Sequence, residues 1–83
     1  MEPIISVDTD RKKVLITIND TFQNDCDPTI ELENVVAGTN KKILEQLNEK
    51  LKDYNYKIAE KPKWRFLVKA YGYAAVEAVI EKE

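Results

Sequence analysis

Lys61–Ile80, KPKWRFLVKAYGYAAVEAVI, is the stretch on which the fold of this chain turns. It holds the single Trp, one of two Phe and two of four Tyr in the chain. Even positions run Trp64, Phe66, Val68, Ala70, Gly72, Ala74, Val76, Ala78, Ile80, apolar apart from the glycine. Odd positions, from Arg65 to Glu81, mix charged, aromatic and aliphatic side chains. Period-two alternation is the mark of a half-buried strand. Seventeen residues in one straight strand would span about 56 Å at ~3.3 Å each. A domain of this length has a radius of gyration of only about 12 Å, so the run must bend, and Gly72 is the residue that permits it. Beyond the glycine, AAVEAVIEKE is rich in helix formers. The expectation is a strand over 64–71 and a short helix over 73–82, with a second strand there as the alternative.

The segment before it contains the clearest helix. Thr39 or Asn40 caps a run from about Lys41 to Tyr54, in which Ile43, Leu44, Leu47, Leu51 and Tyr54 form one apolar stripe. Lys42, Glu45, Glu49 and Lys52 make the opposite, wet face. Tyr56–Glu60 alternates as a short strand, closed by Lys61-Pro62-Lys63. Towards the N-terminus, Ile4–Val7 and Lys13–Asn19 pattern as the arms of a hairpin. Thr29–Val36 alternates Ile30, Leu32 and Val36 against Glu31 and Glu33, which predicts a third strand. The fold class is therefore α+β: a single-layer antiparallel sheet of four to five strands, with one main helix over about 41–54 packed on it. A short C-terminal helix over about 73–82 completes it. Residues 1–83 form a single domain, since the length leaves no room for a second.

Composition bounds the function. The chain is 43% hydrophobic and 34% charged, as in an ordinary folded domain. No apolar run approaches the ~20 residues of a membrane helix, and Met1-Glu2-Pro3 opens without a signal-peptide pattern, so a cytoplasmic location is expected. Cys26 stands alone between Asp25 and Asp27, neighbours that disfavour a thiolate. The loop Asn19–Thr29 offers Asp20, Asn24, Asp25 and Asp27, but lacks the Gly and terminal Glu of a twelve-residue calcium loop, so no metal is expected. No cofactor fingerprint is present, and there is no His to serve as a base near neutral pH; an enzyme is not expected.

Charge is unevenly spread over a net of −2. Residues 1–40 carry 3 basic and 8 acidic groups, whereas 41–69 carry 9 basic and 4 acidic. Two candidate sites follow. Gly38, Thr39, Asn40, Lys41 and Lys42 stand at a helix N-terminus, where backbone N–H groups and two lysines could receive an anion. Arg65, Leu67, Lys69, Tyr71 and Tyr73 fall on the odd face of the opening stretch, a mixture of aromatic, aliphatic and cationic groups typical of protein interfaces. The expected function is a small non-enzymatic binding or regulatory module that contacts another protein or itself as a homodimer. The alternative is nucleic-acid binding through the basic and aromatic segment 57–73 and the helix N-terminus at 38–42.

Two local resemblances bear on these expectations. Asn34-Val35-Val36-Ala37-Gly38 resembles the Gln-Val-Val-Ala-Gly hairpin of the cystatins, with Pro62 and Trp64 near the position of their Pro-Trp loop. That resemblance implies a hairpin and protease inhibition, although cystatins carry their long helix before the hairpin and not after it. Val68-Lys69-Ala70-Tyr71-Gly72-Tyr73-Ala74 is similar to the strand-to-helix junction of Alba-type nucleic-acid-binding proteins. It implies a strand, a glycine turn and a helix.

Overall fold

The computed structural model describes residues 3–20, 27–70 and 72–83. Two helices lie against a five-stranded antiparallel sheet, in the order β1 (Ile4–Asp8), β2 (Lys13–Asn19), α1 (Pro28–Ala37), α2 (Lys41–Lys52), β3 (Tyr56–Ile58), β4 (Arg65–Ala70) and β5 (Tyr73–Lys82). The α+β class holds. The expected hairpin at the N-terminus, the helix beginning at Lys41 and the strands near 56 and 65 all occur.

The opening stretch does bend at Gly72, but into a second strand rather than a helix. Ala70 pairs with Tyr73 across the two-residue link Tyr71-Gly72, and Gly72 has φ 80°, a left-handed conformation that a Cβ would disfavour. The helix formers of 73–82 are overridden by tertiary pairing. One edge of β5 meets β2 from Tyr73 to Val79; the other meets β4 along its first half and β3 along its second. Helix propensity differs by only a few tenths of a kcal/mol among these residues, less than a strand gains when both of its edges are paired and one face is buried. Ten residues at about 3.3 Å reach ~33 Å, close to the 37 Å long axis of the molecule.

The second correction is α1, where a strand was expected over 29–36. Asp27 is its N-cap and accepts the Thr29 N–H at 2.9 Å, and Pro28 occupies the first turn, where its missing N–H costs nothing. Gly38 closes the helix at φ 81° and donates to the carbonyls of Asn34 and Val35. Pro28, Leu32 and Val35 are buried at helical spacing, whereas Ile30, counted with the core in the alternating pattern, is 56% exposed. Asn34–Ala37 therefore belongs to a helix and not to the hairpin of the cystatin resemblance. Likewise a strand, not a helix, follows Gly72, against the Alba-type junction.

The core lies between the helices and one face of the sheet. Val14, Ile16 and Ile18 of β2 and Ala74, Val76, Ala78 and Ile80 of β5 meet Leu32, Val35, Ile43, Leu47 and Leu51 of the helices. Trp64 and Phe66 pack at its margin, inward as their even positions predict.

Hydrogen-bond parity runs through the whole ladder. Ile80 N–H donates to Lys12 C=O (3.0 Å) and Asp20 N–H to Gly72 C=O (2.7 Å), so even residues of β2 and β5 face each other. Odd residues of β5 face the other way: Val79 N–H donates to Pro62 C=O (2.7 Å), and Val79 C=O accepts from Ala59 N–H (3.2 Å). Odd residues of β2 then face β1, where they pair with Ile4, Ser6 and Asp8.

Gly38 offers a clean measure of backbone strain. No atom beyond its chain neighbours lies within 4 Å of where a Cβ would sit, so replacement meets no steric clash. Gly38→Ala should cost about 1 kcal/mol from the left-handed conformation alone. In equilibrium denaturation this appears as a lower midpoint with an unchanged slope.

Candidate binding face

The helices cover one face of the sheet; among the described residues, no helix lies on the other. This open face has a regular cross-strand order set by the register. One row runs Ser6, Leu15, Glu77, Arg65 across β1, β2, β5 and β4. The row beside it runs Ile4, Thr17, Ala75, and beyond that Asn19 lies opposite Tyr73.

Glu77 is the electrostatic centre of the face. One of its carboxylate oxygens stands 3.6 Å from Lys13 Nζ and 3.9 Å from Arg65 Nη1. Its side chain is only 18% exposed, against 72% for Arg65. A depression of about 270 Å³ opens beside it, walled by Leu15 and Leu67 and bordered by Ser6 and Asp8. The other ion pairs of this side, Lys57 with Glu81 (3.8 Å) and Arg11 with Asp8 (3.9 Å), each set one cation against one carboxylate. Apolar groups surround this frame: Ile4 is 63% exposed, Leu67 45% and Tyr73 36%.

The five residues expected on the odd face separate. Arg65, Leu67 and Tyr73 lie on the open face. Lys69 does not, because the register shifts between Phe66 and Val68. A bulge adds one residue and reverses the facing of everything after it, so Lys69 sits opposite Ala74, a core-face residue. Its ammonium lies 4.3 Å from the centroid of the Phe66 ring, on the helix side of the sheet. Tyr71 lies outside the described residues, as do Asn24, Asp25 and Cys26. Asp27, the remaining loop carboxylate beyond Asp20, is spent on capping α1.

The expected anion site is built differently from its sequence reading. The N–H groups of Gly38, Thr39 and Asn40 all donate to C-terminal carbonyls of α1, Thr39 and Asn40 to Asn34 at 2.9 and 3.2 Å. Asn40 caps α2 by accepting the Ile43 N–H (3.3 Å), while its Nδ2 donates to the Glu31 carboxylate (2.9 Å). A carboxylate of the protein itself thus stands beside this helix N-terminus, where an external anion was expected. Lys41 and Lys42 are exposed at its side.

Ile4, Leu15, Lys13 and Glu77 were not singled out from the sequence. Glu77 becomes visible as a site residue once 73–82 is read as a strand, because it then shares a face with Tyr73 and Arg65. Comparison of the chain with protein-family models, with curated proteins and with solved structures finds no match. No described helix is long and apolar enough to cross a membrane.

The Glu77 frame positions the face more than it stabilises the fold. Lys13 is 45% exposed and both N–O distances are near 4 Å. A double-mutant cycle with Lys13→Ala and Glu77→Gln should give a coupling below about 1 kcal/mol. Repeating it in 1 M salt should shrink that coupling further.

Proposed function

We propose that this chain is a non-catalytic binding module that acts through protein–protein contacts, and that it works as a homodimer. The observation that carries this reading is the uncovered face of the sheet, with Ile4, Leu67 and Tyr73 exposed around the half-buried Glu77 and its two cations. Aliphatic and aromatic groups around a few fixed charges are the composition of an interface core with a polar rim. A shallow depression flanked by paired charges is suited to receiving a partner's side chain. The chain contains no histidine, and the carboxylate at the centre of the face is engaged by two cations. Both features favour recognition over proton transfer.

Nucleic-acid contact is the weaker reading. Lys57 and Arg65, two of the cations in the segment 57–73, each have a carboxylate within 4 Å, and Lys69 is directed onto Phe66. Phosphate binding draws on cations that are free to exchange their counterions.

The test is a comparison of the wild-type chain with Leu67→Asp/Tyr73→Ser, both at exposed positions. The variant should keep its circular dichroism and thermal midpoint. It should lose, by tenfold or more, the protein partner that the wild type retains on an affinity matrix, as expected when central apolar anchors are removed. A partner retained equally by both would place recognition elsewhere. Tight binding of single-stranded oligonucleotides at low salt, lost at high salt, would favour the nucleic-acid reading instead.

A further inference from the structure

We propose that a second copy of this chain pairs with the free edge of β1, joining two sheets into one through an antiparallel seam centred on Ser6. The inference rests on the homodimer in the proposed function and names the surface that forms it. Ile4, Ser6 and Asp8 turn their backbone groups towards β2, so the N–H and C=O of Ile5 and Val7 point away from the sheet. β1 is the end of the strand order, and among the described residues no backbone or side-chain partner meets these four groups.

An open edge is an invitation to pairing that proteins usually blunt with lysine, proline or a bulge. The opposite side of this sheet is blunted in that way. β4 carries the bulge between Phe66 and Val68 and follows Pro62 and Lys63, the latter at φ 51°. β3 has three residues only. β1 has no lysine, proline or bulge within Ile4–Asp8, although Pro3 stands just before it, and its one charge, Asp8, is at its end.

The edge is complementary to itself. With a two-fold axis at Ser6, Ile5 falls opposite Val7 of the second copy and Val7 opposite its Ile5. Outward-pointing residues then face outward-pointing residues, and all four groups on each copy find partners. This register pairs all five residues of the strand. Moving the axis to Ile5 would bring in Pro3, which has no N–H, and moving it to Val7 would bring in the turn beginning at Thr9. On the core side, the half-buried Ile5 and Val7, already packed against the core cluster, would extend that apolar face across the seam. On the open side, Ile4 lies opposite Asp8 of the second copy, so the two like charges do not meet. Ser6 meets its own copy at a non-hydrogen-bonded position, where Cα atoms approach to about 4.5 Å and only a small or complementary side chain fits well. The two open faces then lie side by side as one larger binding surface.

Sedimentation of the full chain over a concentration series, with Ser6→Lys and Ser6→Glu variants, tests this. The Ser6 side chain is exposed on the open face, so neither change touches the core. The wild type should reach twice the 9.6 kDa chain mass. Each variant alone should remain at the chain mass with unchanged circular dichroism, because like charges would be opposed at the axis. An equimolar mixture of the two should recover the dimer. A wild type that stays monomeric throughout overturns both the seam and the homodimer reading. Variants that dimerise as the wild type does overturn the seam alone, since the dimer then forms elsewhere. A mixture that fails to recover overturns the register centred on Ser6.

Discussion

Everything in this molecule is arranged about a strand held on both edges. β5 bonds β2 through its even residues and β4 and β3 through its odd ones. Its even side chains, Ala74, Val76, Ala78 and Ile80, form the floor of the core, while Tyr73, Glu77 and Val79 face the other way. A single strand thus sets the length of the molecule, the platform for both helices and the order of residues on the open face. The helices are joined to each other with similar economy: Asn34 C=O accepts from Gly38, Thr39 and Asn40, and Asn40 then caps the helix that follows.

The consequence for function is a two-sided sheet with one finished face. Covering one face satisfies the core of so small a domain, in which folding can bury only ~60–65% of the chain's surface. The other face keeps Ile4, Leu67 and Tyr73 in solvent and places a half-buried carboxylate between two cations. Pairing at β1 would add to that face without covering it. Recognition by the open face and association through the edge are therefore compatible uses of the same sheet.

Much of this was legible in the sequence where local pattern and tertiary context agree. The N-terminal hairpin and α2 follow from alternation and from an apolar stripe with its cap, and the chain-length limit placed the bend at Gly72. Two segments carry local signals that conflict with one another. The apolar spacing of Ile30, Leu32 and Val36 suggested a strand, yet Asp27, Pro28 and Gly38 spelled out a helix start and stop. Alanines after Gly72 suggested a helix, although the period-two pattern continued unbroken to Ile80. The bulge was not legible. It depends on how β4 fits its neighbour, and it alone moved Lys69 from the open face to the ring of Phe66.

The measurement that bears most directly on this arrangement is residue-resolved amide hydrogen exchange. With β5 central, amides from Ala74 to Ile80 should be among the slowest in the chain, even and odd residues alike, because both edges are paired. In β1 at high dilution, protection should instead alternate: Ile4, Ser6 and Asp8 slow, Ile5 and Val7 fast. Fast exchange along Ala74–Ile80, or protection there at alternate residues only, would contradict a sheet built around that strand.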